Sequence, residues 1–271
     1  MPVAERNGAS LNGVNLNGIT IVNTRPALQS EPLCQLIESA GGKVIRFPVL
    51  EITDPIDNAV LSGVIARLAQ FDIAIFISPN AVDRGMNLIS AQGGLPSSVN
   101  VAAVGKGSAK QLARHGHKAD IFPQHKFNSE ALLAMPDMQA VAGKHIVIFR
   151  GEGGRELLAT TLQQRGAVVE YAECYRRARP TTDTSELMRR WARNEVDVIV
   201  VTSNEGLHNL YDMVGALGRK WLIKTTLVVV SERSVALAQT LGFKHLPLLA
   251  DQASDESILA TIGLWKQQQG Q

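Results

Sequence analysis

Ile73–Val82 reads IAIFISPNAV, and Val198–Leu207 reads VIVVTSNEGL. In each stretch a short apolar run stops at a small hydroxyl residue, Ser78 or Ser203, and a helical pattern follows. An uninterrupted apolar run has no wet face, so both predict strands of a parallel sheet covered on both sides by helices. Serine at the junction predicts an N-cap whose side-chain oxygen takes up an N–H of the helix's first turn. The two serines stand 125 residues apart.

That spacing recurs along the chain. Arg25 and Arg150, Gly41 and Gly166, and Pro55 and Pro180 are pairs with the same offset. VAAVGKGSAKQLARHG, from Val101, is echoed by LVVVSERSVALAQTLG, from Leu227, with a slip of about one residue. Further β-branched runs (ITIV, KVIRFPV, NVAAV, HIVIF, TLVVV) alternate with helical patterns, several of which end at glycine. The fold class expected is α/β: two similar lobes, each a parallel sheet flanked by helices with right-handed crossovers.

Composition narrows the function classes. The 271 residues are 45% hydrophobic and 19% charged, as in a globular protein with a sizeable core. A net charge of +2 argues for neither a nucleic-acid nor a membrane partner. Cys34 and Cys174 are too few for a disulfide framework and read as buried free thiols. The Asn- and Gly-rich start lacks the apolar core of a signal peptide, and no run reaches the length of a membrane helix. A cytoplasmic protein is expected, with an unstructured leader over 1–18 and an unstructured tail over 265–271.

Several chemistries lack support. GKGSAK, Gly105–Lys110, has the letters of a P-loop in the wrong arrangement, and GEGGRE puts Glu156 where a dinucleotide fingerprint needs Gly or Ala. No G-x-S-x-G elbow is present. His115 and His117 read as a solvated pair rather than metal ligands, and Arg176, Arg177 and Arg179 as a wet surface. What remains is a set of strand ends, at Ser78, Gly105, Arg150–Gly154, Ser203 and Ser231. There, unpaired helix N–H groups can seat anions. Taken singly, each serine reads as a cap; matched in two lobes, the set predicts a large anionic ligand.

Beyond periodicity, the chain resembles the uroporphyrinogen-III synthase family. The resemblance is carried by NTRP (Asn23–Pro26), FPVLEI (Phe47–Ile52), FISPNAV (Phe76–Val82), AAVGKGSA (Ala102–Ala109), IFRGEGGRELLATTLQQRGA (Ile148–Ala167), ECYRR (Glu173–Arg177), VVTSNEGL (Val200–Leu207) and LVVVSERSVALAQTLG (Leu227–Gly242). It covers almost the whole chain in the family's order, and RGEGGREL followed by ECYRR is its most specific part.

The resemblance implies a discontinuous first lobe, 19–49 plus 176–264, and a second lobe over 50–175. Two extended strands, near Phe47–Pro55 and Tyr171–Pro180, would join them and allow hinge motion. It implies a substrate, hydroxymethylbilane, with four acetate and four propionate side chains. The reaction would lose water from the hydroxymethyl group, pass through a spiro intermediate and close the ring with the fourth pyrrole inverted. No cofactor or metal is called for. A monomer is expected, with room for a transient contact with the preceding pathway enzyme.

Tyr175 matches the family's tyrosine and is the expected proton donor; read without the family, it is a strand tyrosine packing its ring. Substrate carboxylates are expected at Ser78, Asn80, Gly105, Lys106, Ser108, Arg150, Gly151 and Gly153 on one side. On the other side stand Arg25, Ser203, Asn204, Ser231, Arg233 and Ser234. The sequence departs from many relatives at VSERS, Val230–Ser234, where they carry Gly-Pro; Ser231 can still cap the helix there. The competing class is a non-catalytic two-lobed binding or sensor protein for an anionic metabolite, against which the ECYRR match stands.

Overall fold

The apolar runs are strands because their side chains are buried on both faces. β1 (Thr20–Asn23), β4 (Ile73–Phe76) and β8 (Val198–Val200) have no exposed residue. The other strands are β2 (Lys43–Arg46), β3 (Glu51–Thr53), β5 (Asn100–Ala103), β6 (His145–Gly151), β7 (Val168–Ala178), β9 (Thr226–Val229) and β10 (Leu248–Leu249). They belong to a computed structural model that describes residues 13–269.

The strands form two five-stranded sheets, ordered β10-β9-β8-β1-β2 and β3-β7-β6-β4-β5. Parallel registers link β10-β9-β8-β1-β2 in the first and β7-β6-β4-β5 in the second. The chain divides into two compact units: residues 1–51 with 178–271, and residues 52–177. Each sheet therefore mixes the two halves of the repeat. β1 and β2 share a sheet with β8 and β9, through the β1–β8 pairing, while their repeat partners β6 and β7 share a sheet with β4 and β5, through the β6–β4 pairing.

In the first unit, alternate residues feed two cores. Val22, Ile199 and Val229 pack with Phe47, Trp191 and Leu210 on one face. Ile21, Val198, Val200 and Val228 pack with Leu33, Ile37 and Ile258 on the other. The second unit repeats the plan: Phe76, Val147 and Phe149 face the helices over 59–66 and 79–91, while Ile73, Ile75, Ile146 and Ile148 face Leu132, Met138 and Leu162. The Phe76 and Phe149 rings stack at 4.6 Å, leaving room at Gly85 for no side chain: a Cβ there would lie 2.8 Å from the Phe149 ring.

Two expectations about the chain ends are corrected, as far as the described residues go. Residues 13–18, expected in the leader, pack against the first unit. Leu16 is fully buried and its N–H bonds the Ala40 carbonyl at 2.7 Å, while Val14 lies against Gly263. Leu16, fully buried, and Val14, partly buried, outweigh the polar residues around them, and Lys266 Nζ meets the Asn17 carbonyl at 2.7 Å. The tail expected from residue 265 is helical through Gln269, because Trp265 continues the apolar face of the helix over 255–269. Residues 1–12 and 270–271 of those two expectations lie outside the described residues.

Candidate active site

In the second unit, the parallel register brings the strand ends level. Phe76 pairs with both Ala103 and Phe149, so Ser78, Gly105 and Gly151, each two residues on, emerge at one edge. Ser78 caps the helix over 79–91: its Oγ accepts the Ala81 N–H at 3.1 Å. Gly105 occupies the cap of the helix over 106–114 in extended backbone. Asn80 is half-buried on the first turn beyond Ser78, and Ser108 is buried. Lys106 Nζ lies 4.6 Å from the centre of the Phe127 ring.

Tyr175 reaches this edge through an irregularity. Arg150 pairs with Glu173, but Gly151 pairs with Tyr175, so Cys174 has no counterpart on β6. The Tyr175 ring then lies on Gly151, where a Cβ would stand 2.6 Å from Cε2, and its hydroxyl meets Ser78 Oγ at 3.1 Å. Tyr175 is only 2% exposed, so little of it reaches open space. It nevertheless lines a cavity of about 410 Å³, shared with Ile77, Val104, Tyr171 and the Arg150–Arg155 loop.

Arg150 stands at the inner wall of that cavity with its side chain 3% exposed. Its Nε donates to the Gly151 carbonyl at 3.2 Å, Nη1 to Glu156 at 3.1 Å, and Nη2 to the Gly153 carbonyl. Its flat face covers the Tyr171 ring at 4.4 Å. Tyr171 donates its hydroxyl to the other oxygen of Glu156. That bond, with Arg150 behind it, holds the Glu156 carboxyl below its ordinary range. Burial, reinforced by the Glu156 carboxylate, pushes the Tyr171 phenol up to about 12.

The two tyrosines therefore differ as proton sources. The proton of Tyr171 is committed to a carboxylate, whereas Tyr175 faces a neutral hydroxyl that can act as donor or acceptor. Cys174, beside Tyr175, is no candidate nucleophile. Burial pushes its thiol up to about 12, and its Sγ lies 3.4 Å from the Arg150 carbonyl.

The first unit carries its own matched edge. Val200 pairs with Val228, and Ser203 and Ser231 follow three residues on as helix caps, accepting from Gly206 N–H at 3.0 Å and Ser234 N–H at 3.2 Å. Ser234 Oγ donates to Asn204 Oδ1 at 2.7 Å and so accepts from Ser231 Oγ at 2.9 Å, linking the starts of two helices. Ser203, Asn204 and Arg233 are exposed there. Arg25 pairs with Asp255 at the start of the helix over 255–269.

Of the residues singled out in sequence, the second unit thus gathers Tyr175, Arg150, Gly151 and Gly153 at the cavity, with Ser78 bonded to Tyr175. Asn80, Gly105, Lys106 and Ser108 share the sheet edge without lining the cavity. Glu156, Tyr171 and Glu173 were missed. Their available signal was alternation along one strand, which sets Tyr171 and Glu173 two residues apart on one face and brings both to the Arg150 loop.

A family profile described as uroporphyrinogen-III synthase HemD matches residues 31–260. The chain is 33% identical to the uroporphyrinogen-III synthase of Escherichia coli (strain K12) over 246 residues, covering 90% of this chain and 100% of that one. It is 35% identical to the enzyme of the same name from Salmonella typhimurium over 248 residues, again 90% and 100%. Among solved structures, a mutant uroporphyrinogen III synthase from the extreme thermophile Thermus thermophilus superposes with a TM-score of 0.60 at 19% identity, covering 93% of this chain and 100% of that one. The uroporphyrinogen-III synthetase of Helicobacter pylori 26695 gives 0.57 at 16% identity, with coverages of 92% and 99%. These two likenesses speak to the α/β fold.

Proposed function

The chain belongs to the uroporphyrinogen-III synthase family of cyclising lyases in tetrapyrrole (haem) biosynthesis, and from that premise we propose that Tyr175 supplies the proton that turns the substrate's hydroxyl into departing water. The observation that carries this reading is the 3.1 Å contact between the Tyr175 and Ser78 hydroxyls. Ser78 Oγ already accepts the Ala81 N–H. If it donates its own hydrogen to the Tyr175 oxygen, the phenol proton is left to point at a reacting group.

The substrate in this reading is hydroxymethylbilane. Its C–O bond breaks as the Tyr175 proton reaches the hydroxyl oxygen, and the electron pair leaves with water. The carbon cation left behind, stabilised by its pyrrole nitrogen, is attacked by the fourth ring at its substituted position. The spiro intermediate fragments and recloses at the other position, and the proton released on rearomatisation restores the phenol. Helix starts at Ser78 and Gly105 in the second unit seat carboxylates through backbone N–H groups, and those at Ser203 and Ser231 in the first unit offer the same kind of seat. Loss of a single serine side chain is then mild for binding; a Ser→Ala change that abolished it would contradict this distribution.

The test adds purified protein to freshly made bilane and measures the isomers formed. Type III product, faster than spontaneous closure, is expected; only type I at the uncatalysed rate refutes the reading. The binding-protein alternative is not favoured, because the chain spans the full length of relatives named as synthases. We further place the protein in the cytoplasm, where its two buried free thiols, Cys34 and Cys174, suit a reducing compartment. It would act there as a monomer that takes the bilane from the preceding enzyme in a transient contact. A stable dimer in sedimentation at assay concentration would refute the monomer.

A further inference from the structure

We propose that Arg150 is a positioning residue rather than a seat for a substrate carboxylate: with Glu156 and Tyr171 it locks the Gly151–Glu156 loop, which in turn fixes the place of Tyr175. The inference rests on the proton-donor reading of Tyr175 and adds the device that holds it.

The guanidinium is already engaged by its own chain. Three of its nitrogens meet the Gly151 carbonyl, Glu156 and the Gly153 carbonyl, and Tyr171 covers its face. Glu173 adds a second carboxylate, 3.9 Å from Nε, whose oxygen also takes the Gly153 N–H at 3.2 Å. A substrate carboxylate approaching Arg150 would meet two negative charges that already neutralise it. The seat is filled from within.

The loop is shaped for that grip. Gly153 and Gly154 adopt φ of 69° and 107°, which curls the backbone back on the arginine, and a Cβ on Gly154 would stand 3.1 Å from Nη2. The loop's first two residues hold Tyr175 in turn. Gly151 lies under the ring, and Glu152 N–H donates to the Tyr175 carbonyl at 2.8 Å. Tyr171 closes the arrangement by fixing Glu156 through its second oxygen. Displacement of the loop moves the ring, and with it the hydroxyl that meets Ser78.

Steady-state kinetics of Tyr171→Phe, Gly151→Ala and Tyr175→Phe test this, with type III product as the readout. Tyr171→Phe keeps the ring and every charge, and Tyr171 is only half-buried, so the variant folds. A positioning lock predicts that Tyr171→Phe and Gly151→Ala each lower kcat about tenfold with KM within about twofold of wild type. Full turnover in both, beside a slow Tyr175→Phe, sinks the lock and leaves the proton donor standing. Full turnover in Tyr175→Phe sinks the reading beneath it. An Arg150→Gln variant whose KM rises tenfold at unchanged kcat returns Arg150 to the substrate and overturns the proposal.

Discussion

Replacing Tyr175 by Phe and Ser78 by Ala removes the two ends of one hydrogen bond, yet the consequences should rank in opposite orders for stability and for turnover. Tyr175→Phe keeps the ring on Gly151 and deletes one hydroxyl. Ser78 keeps its bond from Ala81 N–H, so no cap is lost. A single such bond contributes about 1 kcal/mol net. Ser78→Ala loses the same bond and also the cap, itself worth about 1 kcal/mol. It further leaves the hydroxyl of a tyrosine that is 2% exposed without its partner, so the total should be about 2–3 kcal/mol. Turnover should run the other way. The Phe variant has no proton to give and should lose at least about tenfold, some 1.4 kcal/mol in barrier. The Ala variant keeps the phenol and should lose less. Urea unfolding midpoints and initial rates of type III product from fresh bilane supply the two rankings. Because the residues share one bond, the double variant should be less destabilised than the sum of the singles. Wild-type turnover in Tyr175→Phe, or a Ser78→Ala enzyme slower than it, would refute the reasoning.

Leu16→Ala should cost about 2–5 kcal/mol in denaturant unfolding, as for a buried leucine; a change below about 0.5 kcal/mol would mean the segment does not belong to the core. Cys174, its thiol pushed up to about 12 by burial, should react with a maleimide at pH 8 at least about a hundredfold more slowly in the native than in the unfolded protein. Equal rates would remove the buried thiol. Glu156 is held below its ordinary range by Tyr171 and Arg150. Its contribution is therefore complete above the ordinary carboxylate value of about 4.3 and is lost as pH falls through the lowered folded-state value. The stability gap between wild type and Glu156→Gln should close on acidification, and a gap that stays constant into strong acid would contradict the contacts.

What the sequence made legible was whatever repeats or alternates. β1, β2 and β4 find their counterparts in β6, β7 and β8 at the 125-residue offset, and β5 and β9 keep the one-residue slip. Such runs are readable because burial on both faces leaves no choice of side chain. The capping serines were equally plain, since an N-cap is a local bond. The partners of the arginines were not. Arg25 meets Asp255, 230 residues away, and Arg150 meets a carboxylate whose own position depends on a tyrosine of another element. Leu16 sits among Asn and Gly, so its neighbours gave no periodicity to mark it as core. The irregularity that carries Tyr175 across Gly151 is a one-residue event in pairing, and composition holds no trace of it.

The exchange of strands between the two sheets sets an order of events during synthesis. The unit over residues 52–177 is one unbroken segment and can complete itself as soon as β7 has left the ribosome. The earlier residues cannot, because β1 needs β8 beside it, and β8 needs β9. At about 5–20 residues per second, the wait from Glu51 to Val229 lasts on the order of ten to thirty-odd seconds. Through that time Ile21 and Val22, fully buried later, have only β2 to pair with and lack β8 on their other side. Nascent chains halted beyond residue 177 should resist protease across the second unit while the segment before it is still cut.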